Sequence, residues 1–273
     1  MAVIAHLSDV HFGRHDPAAV EAVLSDIDAL RPALVVISGD FTQRARRSEF
    51  RAAHEFLIRI EALGLRWLAV PGNHDVPLYD VARRFLSPLR RYRRYISPDP
   101  TPRFEAEGIA VVGINTARSL TVSDGRVSRA QIVAIAAAFD AVPQDSVRIL
   151  VTHHPLVELP WGEDGTGLHA AGRSGSALAA AQKAGVQLLL AGHHHRSFAG
   201  TAAAFRAENG ALLVVQAGTA TSTRTRNEVN SYNLIRTGDG SVEIEVRART
   251  GEAFAAVRTE CHRYRDGSWH LDS

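Results

Sequence analysis

Leu34-Val35-Val36-Ile37-Ser38-Gly39-Asp40 is the stretch that decides the fold. Its first four residues are all apolar, and three of them are β-branched. A run this short and continuous reads as a strand buried on both faces, the pattern of a parallel sheet covered by helices. It ends in Gly-Asp, a polar pair at the strand's carboxyl end. The same arrangement recurs four times. Asp9-Val10-His11 follows Ala2-Val3-Ile4-Ala5, and Gly72-Asn73-His74-Asp75 follows Trp67-Leu68-Ala69-Val70. His153-His154 follows Val147–Val151, and Gly192-His193-His194-His195 follows Val186–Leu190. Ligand sites in open α/β sheets gather at the carboxyl ends of the strands. Five strands that each end in Asp, Asn or His therefore point to one shared site. Its donors are oxygen and nitrogen without thiolate, which suits Mn, Fe, Zn or Co.

The 273-residue chain is 45% hydrophobic and 22% charged, enough apolar material for a large core. Its 31 Lys and Arg nearly balance its 29 Asp and Glu, so the net charge is only +2 and gives no basis for a nucleic-acid partner. The single cysteine, Cys261, rules out an intrachain disulfide and any dependence on an oxidising compartment. The start, Met-Ala-Val-Ile-Ala-His-Leu-Ser-Asp, lacks the cationic and apolar regions of a signal peptide. No apolar run approaches the roughly 18 residues of a membrane span. A cytoplasmic protein is the expectation.

Strands and helices alternate through the first two thirds of the chain. Asp16-Pro17 reads as an N-cap followed by Pro at the first helical position, before an apolar stripe of Val20, Val23, Leu24, Ile27 and Leu30. Ser48 is the expected cap of a second helix, carrying Phe50, Ala53, Phe56, Leu57, Ile60 and Leu63 and stopped at Gly64. Ser128 and Gln131 form a capping-box pattern. A further helix is expected from about Ser174 to Ala184, ending at Gly185. Beyond residue 198 short strand-like runs follow one another, with Gly238-Asp239-Gly240 as a hairpin signal. The expected organisation is one domain over residues 1–273. An αβ half at 1–197 bears the motifs, a mostly β half at 198–260 packs against it, and 261–273 form a tail.

Asp40 lies 31 residues after Asp9, and Asn73 lies 33 after Asp40, one strand–helix unit each. Asp9, His11, Asp40, Asn73, His153, His193 and His195 make seven donors. One ion takes roughly four to six, so seven fit two ions that share a bridging carboxylate. Two ions a few ångströms apart clamp the attacking and leaving oxygens of a displacement at phosphorus and make hydroxide available near neutral pH.

Together, Asp9-x-His11, Gly39-Asp40, Gly72-Asn73-His74-Asp75, His153 and Gly192-His193-x-His195 resemble the calcineurin-like metallophosphoesterases, with all five motifs present in order over residues 9–195. The resemblance implies an α/β fold, a four-layer α/β/β/α sandwich of mixed sheets with flanking helices. It places one metal on Asp9, His11, Asp40 and His195. The second falls on Asp40, Asn73, His153 and His193, with Asp40 as the bridge. His153 is preferred to His154 because the family's ligand stands two before a Pro, here Pro155. His74 would donate to a phosphoryl oxygen or protonate the leaving group, and Asp75 would orient it. His194, Arg224 and Arg226 are candidate substrate contacts, the last two in the hydroxyl-rich segment Thr219–Asn230.

Within the family the chain looks like the bacterial class III cyclic-nucleotide phosphodiesterases and the glycerophosphodiesterases that share their motifs. The implied substrate is a small phosphodiester, with 3′,5′-cyclic AMP as one candidate. A UDP-diacylglucosamine pyrophosphohydrolase is the alternative, although that branch carries Arg where His74 stands. A nuclease and a non-catalytic scaffold complete the field. The sequence leaves the oligomeric state open; a homodimer is one option, by analogy with relatives.

The remaining histidines have plainer readings. His6 is expected in the core or behind the ligands, His54 at a helix surface, and His169, His262 and His270 in loops or the tail. His15 reads as a loop residue within reach of a substrate. The stretch Arg83, Arg84, Arg90, Arg91, Arg93 and Arg94 has Val81, Phe85, Leu89, Tyr92 and Ile96 interleaved, which reads as an amphipathic segment with a solvated Arg face.

Overall fold

A computed structural model describes residues 1–106, 108–158, 169–201, 211–224 and 228–272. The apolar runs become strands in the order read from the sequence. Strands β1 (Ala2–Leu7), β2 (Leu34–Ile37) and β3 (Trp67–Ala69) pair in parallel and open the first sheet. The second sheet holds β4 (Arg103–Ala106), β5 (Ile109–Ile114), β6 (Val147–Thr152), β7 (Leu188–Ala191), β8 (Phe198–Thr201) and β9 (Leu213–Gln216). Its order is β4-β5-β6-β7-β9-β8, parallel in the middle with an antiparallel strand at each edge. The chain then returns to the first sheet through β10 (Ser231–Gly238), β11 (Ser241–Thr250), β12 (Ala253–Arg265) and β13 (Ser268–Leu271), added antiparallel beside β1.

Side-chain alternation along these strands explains why nearly every position is apolar. In β1 and β2, Ile4, Leu34 and Val36 face the second sheet and meet Val111, Ile149, Leu190 and Val215. Ala5, Leu7, Val35 and Ile37 face outward. There they pack on α1 (Pro17–Leu30) and α2 (Arg47–Ala62) through Val23, Ile27, Phe50, Phe56 and Ile60. The outer face of the second sheet is covered the same way. Val112, Leu150, Leu189 and Val214 pack on α5 (Arg129–Ala137) and α6 (Ser174–Lys183), with α3 (Val81–Leu86) and α4 (Arg90–Tyr95) lying between these pairs in the chain. The result is the four-layer α/β/β/α sandwich that the resemblance implies.

The caps largely agree with the sequence. Asp16 accepts from Ala18 N–H at the start of α1, and Ser128 and Gln131 close their box. Gly64 takes φ +74 just past α2, a conformation that favours glycine. Three expectations need correction. Helix α2 starts at Arg47, so Ser48 lies inside it, and the N-terminal N–H of Arg46 is held by the Glu49 carboxylate. The Arg-rich stretch is two short helices rather than one amphipathic segment, because Ser87-Pro88 interrupts it and resets the helical phase. Leu89, Tyr92 and Ile96 are buried as expected, but Val81 and Phe85 are exposed. Arg84 is buried instead, donating to the carbonyls of Pro77, Ser119 and Thr121.

The third correction concerns residues 261–273. They are not a tail: β12 runs to Arg265 and pairs with β13 through a two-residue turn, Asp266 (φ 52) and Gly267 (φ +78). Asp-Gly is the sequence signal for such a hairpin. His262 is accordingly a buried strand residue, and His270 sits on the edge strand. Among the described residues, no helix is long and apolar enough to cross a membrane.

Candidate metal centre

The loops that leave β1, β2 and β3 in one sheet and β6 and β7 in the other converge at one end of the sandwich. Asp9, His11, Asp40, His153 and His195 are buried there, and Asn73 and His193 are partly exposed. The turns are tight. Asp9, His11, Asp40, His193 and His195 all have positive φ, five of the seven candidate donors. A non-glycine residue held this way costs roughly 1–3 kcal/mol, so the surrounding structure fixes these backbones against their preference.

Two groups of donors form. Asp9 Oδ1 lies 3.5 Å from His11 Nε2 and 3.2 Å from His195 Nε2, and the two imidazole nitrogens are 3.2 Å apart. On the other side, His153 Nε2 lies 3.1 Å from Asn73 Oδ1 and 3.4 Å from Asp40 Oδ2. Asp40 Oδ2 is also 3.6 Å from His11 Nε2, so one carboxylate oxygen stands between the groups. The His193 ring lies beside this group, 5.1 Å from that of His153 and 4.6 Å from that of His154, and the donor atoms of these three histidines cluster within 4.8 Å of one another. Donors that share an ion at about 2.1 Å lie about 3.0–3.5 Å from one another, the spacing of the contacts within the Asp9–His11–His195 and Asn73–His153–Asp40 groups.

A divalent cation fits this donor set. Asp9 Oδ1 is buried without a hydrogen-bond partner although two imidazoles surround it, a costly arrangement unless something positive is shared there. Its other oxygen is satisfied by Ser8 Oγ at 2.7 Å and by the His193 N–H at 2.9 Å. The rings of His153 and His195 are held from behind. His153 Nδ1 donates to the Ser38 carbonyl and His195 Nδ1 to the Arg224 carbonyl, both at 2.7 Å, which leaves each Nε2 facing the carboxylates.

Electrostatics follows from burial. Desolvation opposes charge on Asp9, yet the imidazoles of His195 and His11 hold it well below the usual carboxylate range; Asp40 is lowered likewise by His153 and His74. Burial pulls His11 and His193 down, whereas the Asp9 carboxylate raises His195 against its own burial. Burial also opposes the His153 imidazolium, but Asp40 beside it raises that group to about 9.

The neighbouring residues separate by role. His154 cannot serve without losing both of its contacts, Nδ1 to Thr116 Oγ1 at 2.8 Å and Nε2 to the Ser123 carbonyl at 2.9 Å. His6 is buried against Ser38 Oγ, and burial lowers it to about 3. His15 is half-buried and packs on Phe12, while His54 and His169 are exposed.

His74 has its backbone N–H on Asp40 Oδ1 at 2.8 Å and its Nδ1 on the Gln43 carbonyl at 2.8 Å. It lines a cavity of about 480 Å³ together with Asn73, Arg14, Gln43, Arg44, Leu78, Tyr79, Val122 and Arg224. Asp75 does not orient it. The Asp75 carboxylate is buried in the opposite direction, accepting from the N–H groups of Phe41, Thr42 and Gly72 and from Thr42 Oγ1. Successive side chains of the short 3-10 turn Asn73–Asp75 diverge, so sequence adjacency misleads here. Gln43, which nothing in the sequence pattern marks, takes the orienting role.

The hydroxyl-rich segment Thr219–Asn230 also differs from expectation. Among the described residues, its threonine hydroxyls are spent on the loop after β1: Thr219 Oγ1 donates to Asp9 O, Thr221 Oγ1 to Val10 O and Thr223 Oγ1 to Arg14 O. Arg224 reaches the cavity wall; Arg226 lies outside the described residues. His194 is buried beside His193, ring centroids 4.8 Å apart, and is not among the cavity-lining residues.

Two glycines allow the ligand loops to approach. A Cβ on Gly39 would sit 2.6 Å from His153 Nδ1, at a φ of +99 that L-residues rarely adopt. Gly39→Ala therefore displaces His153 in addition to a backbone penalty of about 1–2 kcal/mol. Its metal affinity should fall at least about tenfold in a chelator competition titration, the scale seen when the support of a ligand is disturbed. Wild-type affinity in this variant would show that the loop yields without cost. Gly192 is confined in the same way by Ser8 Oγ and Asp9 Oδ2.

Comparison with known proteins agrees with this geometry. The profile of the calcineurin-like phosphoesterase family matches residues 2–197, and the chain belongs to that family of metal-dependent phosphoesterases, which use two divalent ions. Among curated proteins no sequence match is found. A dimetal phosphatase from Danio rerio superimposes with a TM-score of 0.65 at 13% identity, covering 94% of this chain and 98% of that one. A purple acid phosphatase from yellow lupin seeds also gives 0.65, at 14% identity over 93% of this chain and 52% of the other. The GAP50 anchor of the Plasmodium inner membrane complex gives 0.59 at 13% identity, over 94% of this chain and 87% of that one. At these identities the likeness concerns the fold.

Proposed function

We propose that the chain is a phosphodiesterase that acts on cyclic nucleotides or other small phosphodiesters. The observation that carries the reading is the cavity beside Asn73 and His74. At about 480 Å³ it accommodates a nucleotide-sized substrate, and its walls mix guanidinium groups with Leu78, Tyr79 and Val122. An ester with organic groups on both sides of phosphorus fits such a wall. Asp9, His11, Asp40 and His195 would hold one ion and Asp40, Asn73, His153 and His193 the other. When bound, two such ions polarise the phosphoryl oxygens and lower the pKa of water.

The chain's own residues supply positioning and proton transfer. With Nδ1–H donated to the Gln43 carbonyl, a neutral His74 presents the lone pair of Nε2. Donation to a departing oxygen from Nε2 therefore requires the imidazolium form. The Asp40 carboxylate, which accepts the His74 backbone N–H, places that ring beside the ligand cluster, 4.9 Å from the His11 ring. The Thr219 and Thr221 hydroxyls brace the Asp9–His11 turn by donating to its carbonyls.

Mn²⁺-loaded protein should cleave bis(4-nitrophenyl) phosphate in preference to 4-nitrophenyl phosphate, and a chelated control should cleave neither. Preference for the monoester would keep the centre and overturn the substrate class.

One observation favours a second reading, a pyrophosphohydrolase acting on a lipid-linked nucleotide of the UDP-diacylglucosamine type. Leu78, Tyr79, Val81, Phe85, Leu86, Leu120 and Val122 are all exposed, and three of them line the cavity. The presence of His74 where that branch has Arg weighs against it. A scaffold role is disfavoured because all seven donor positions are filled and converge.

A further inference from the structure

The cavity holds more positive charge than one reacting phosphoryl group requires. Arg14, Arg44 and Arg224 all line it, and none pairs with a carboxylate among the described residues. Elsewhere in the molecule several guanidinium groups are matched, Arg59 with Glu21, Arg83 with Asp80, Arg236 with Glu243 and Glu245, Arg247 with Asp26 and Glu245, and Arg249 with Asp16, so what sets the cavity apart is that three guanidinium groups without a carboxylate share one concave wall. Arg84, the fourth guanidinium on the wall, is consumed by three backbone carbonyls. Three unmatched cations in one concave surface constitute a standing demand for anion.

Their placement is tied to the ligands. Gln43 fixes His74, and Arg44 follows it directly, with its guanidinium 5.7 Å from the Tyr79 ring centroid. The Arg224 carbonyl fixes His195. The Arg14 carbonyl accepts from the backbone N–H and the hydroxyl of Thr223, which joins the Arg14 and Arg224 loops. Each Arg is therefore anchored by its backbone to the frame that orients the centre, while its side chain stays exposed to the cavity. Guanidinium binds phosphate in a bidentate fashion, and a set of such groups discriminates by charge and position.

We infer that Arg14, Arg44 and Arg224 form a second anion subsite, so that the substrate is a nucleotide-sized phosphodiester bearing a further phosphoryl group remote from the one that reacts. The inference rests on the phosphodiesterase reading for the reacting group. It narrows that reading, since a 3′,5′-cyclic mononucleotide carries a single phosphoryl group and leaves the subsite empty.

Calorimetry on the metal-loaded protein tests it without turnover. Adenosine 3′,5′-bisphosphate should bind at least about tenfold more tightly than adenosine 5′-monophosphate, the scale of one added charge-assisted contact. In the double variant Arg14→Gln, Arg44→Gln the two affinities should fall to within about twofold of each other. Circular dichroism and metal content establish that the variant is intact. Equal affinities in the wild-type protein, or a preference that survives in the double variant, overturn the subsite.

Turnover supplies an independent arm. Thymidine 5′-(4-nitrophenyl phosphate) with a 3′-phosphate should show a lower KM than the same ester without one. If neither ester is cleaved but the bisphosphate preference and its loss are both seen, the reaction class is wrong and the subsite stands.

Discussion

Asp40→Ala should release both ions and lower kcat by about 10³–10⁴-fold while leaving the fold intact. Asp40 Oδ2 lies 3.6 Å from His11 Nε2 and 3.4 Å from His153 Nε2, so its loss removes a donor from both groups at once. An ion pair at a phosphoryl centre contributes several kcal/mol of transition-state stabilisation, which converts to the stated factor. The fold should survive because Asp40 also repels Asp75. Burial, followed by the Asp40 charge, raises the Asp75 carboxyl to about 7, and removing Asp40 relieves that strain. Metal content by mass spectrometry and turnover of an aryl phosphodiester provide the check. A variant that still carries two ions per chain and remains active would mean that another residue, with Asp9 the nearest by position, bridges the groups.

His74→Ala should separate chemistry from metal binding. None of the close donor contacts of the centre runs through the His74 ring, which is held by Gln43 and faces the cavity. The variant should therefore keep its ions and lose about 10²–10⁴-fold in kcat, the range for a positioned proton donor. The loss should shrink for esters with very acidic leaving groups, because a good leaving oxygen needs no proton. A uniform loss across leaving groups would instead assign His74 to a hydrogen bond on a non-bridging oxygen. Loss of metal along with activity would make it a structural residue of the centre.

Much of the molecule was legible in the sequence. The apolar runs of the central strands gave their own positions, because burial on both faces removes the polar alternation that blurs strand ends elsewhere. The motif residues announced a shared centre because each stands at a strand's carboxyl end. What the sequence concealed follows from short-range ambiguity. Asp75 is adjacent to His74 yet points away from it, and only the backbone of the 3-10 turn decides that. Arg84 is buried where Phe85 is exposed, because Pro88 broke the periodicity on which the opposite expectation rested. Gln43, Thr219 and Thr221 act through backbone carbonyls, which no residue pattern records. Arg14 and Arg44 carry no shared motif in a chain with 31 Lys and Arg, and only the fold assembles them. The Asp266-Gly267 turn carried a readable signal that a presumed tail obscured.

The donors come from both sheets: Asp9, His11, Asp40 and Asn73 leave β1, β2 and β3, whereas His153, His193 and His195 leave β6 and β7. The contact between residues 11 and 195 spans 184 positions. Such a site cannot exist in any local fragment, nor in a collapsed intermediate whose sheets have formed but not docked. Competence for chemistry thus waits on the docking of the two sheets. A newly made or stressed molecule is silent until its two sheets have met, which makes activity itself a test of whether the protein is finished.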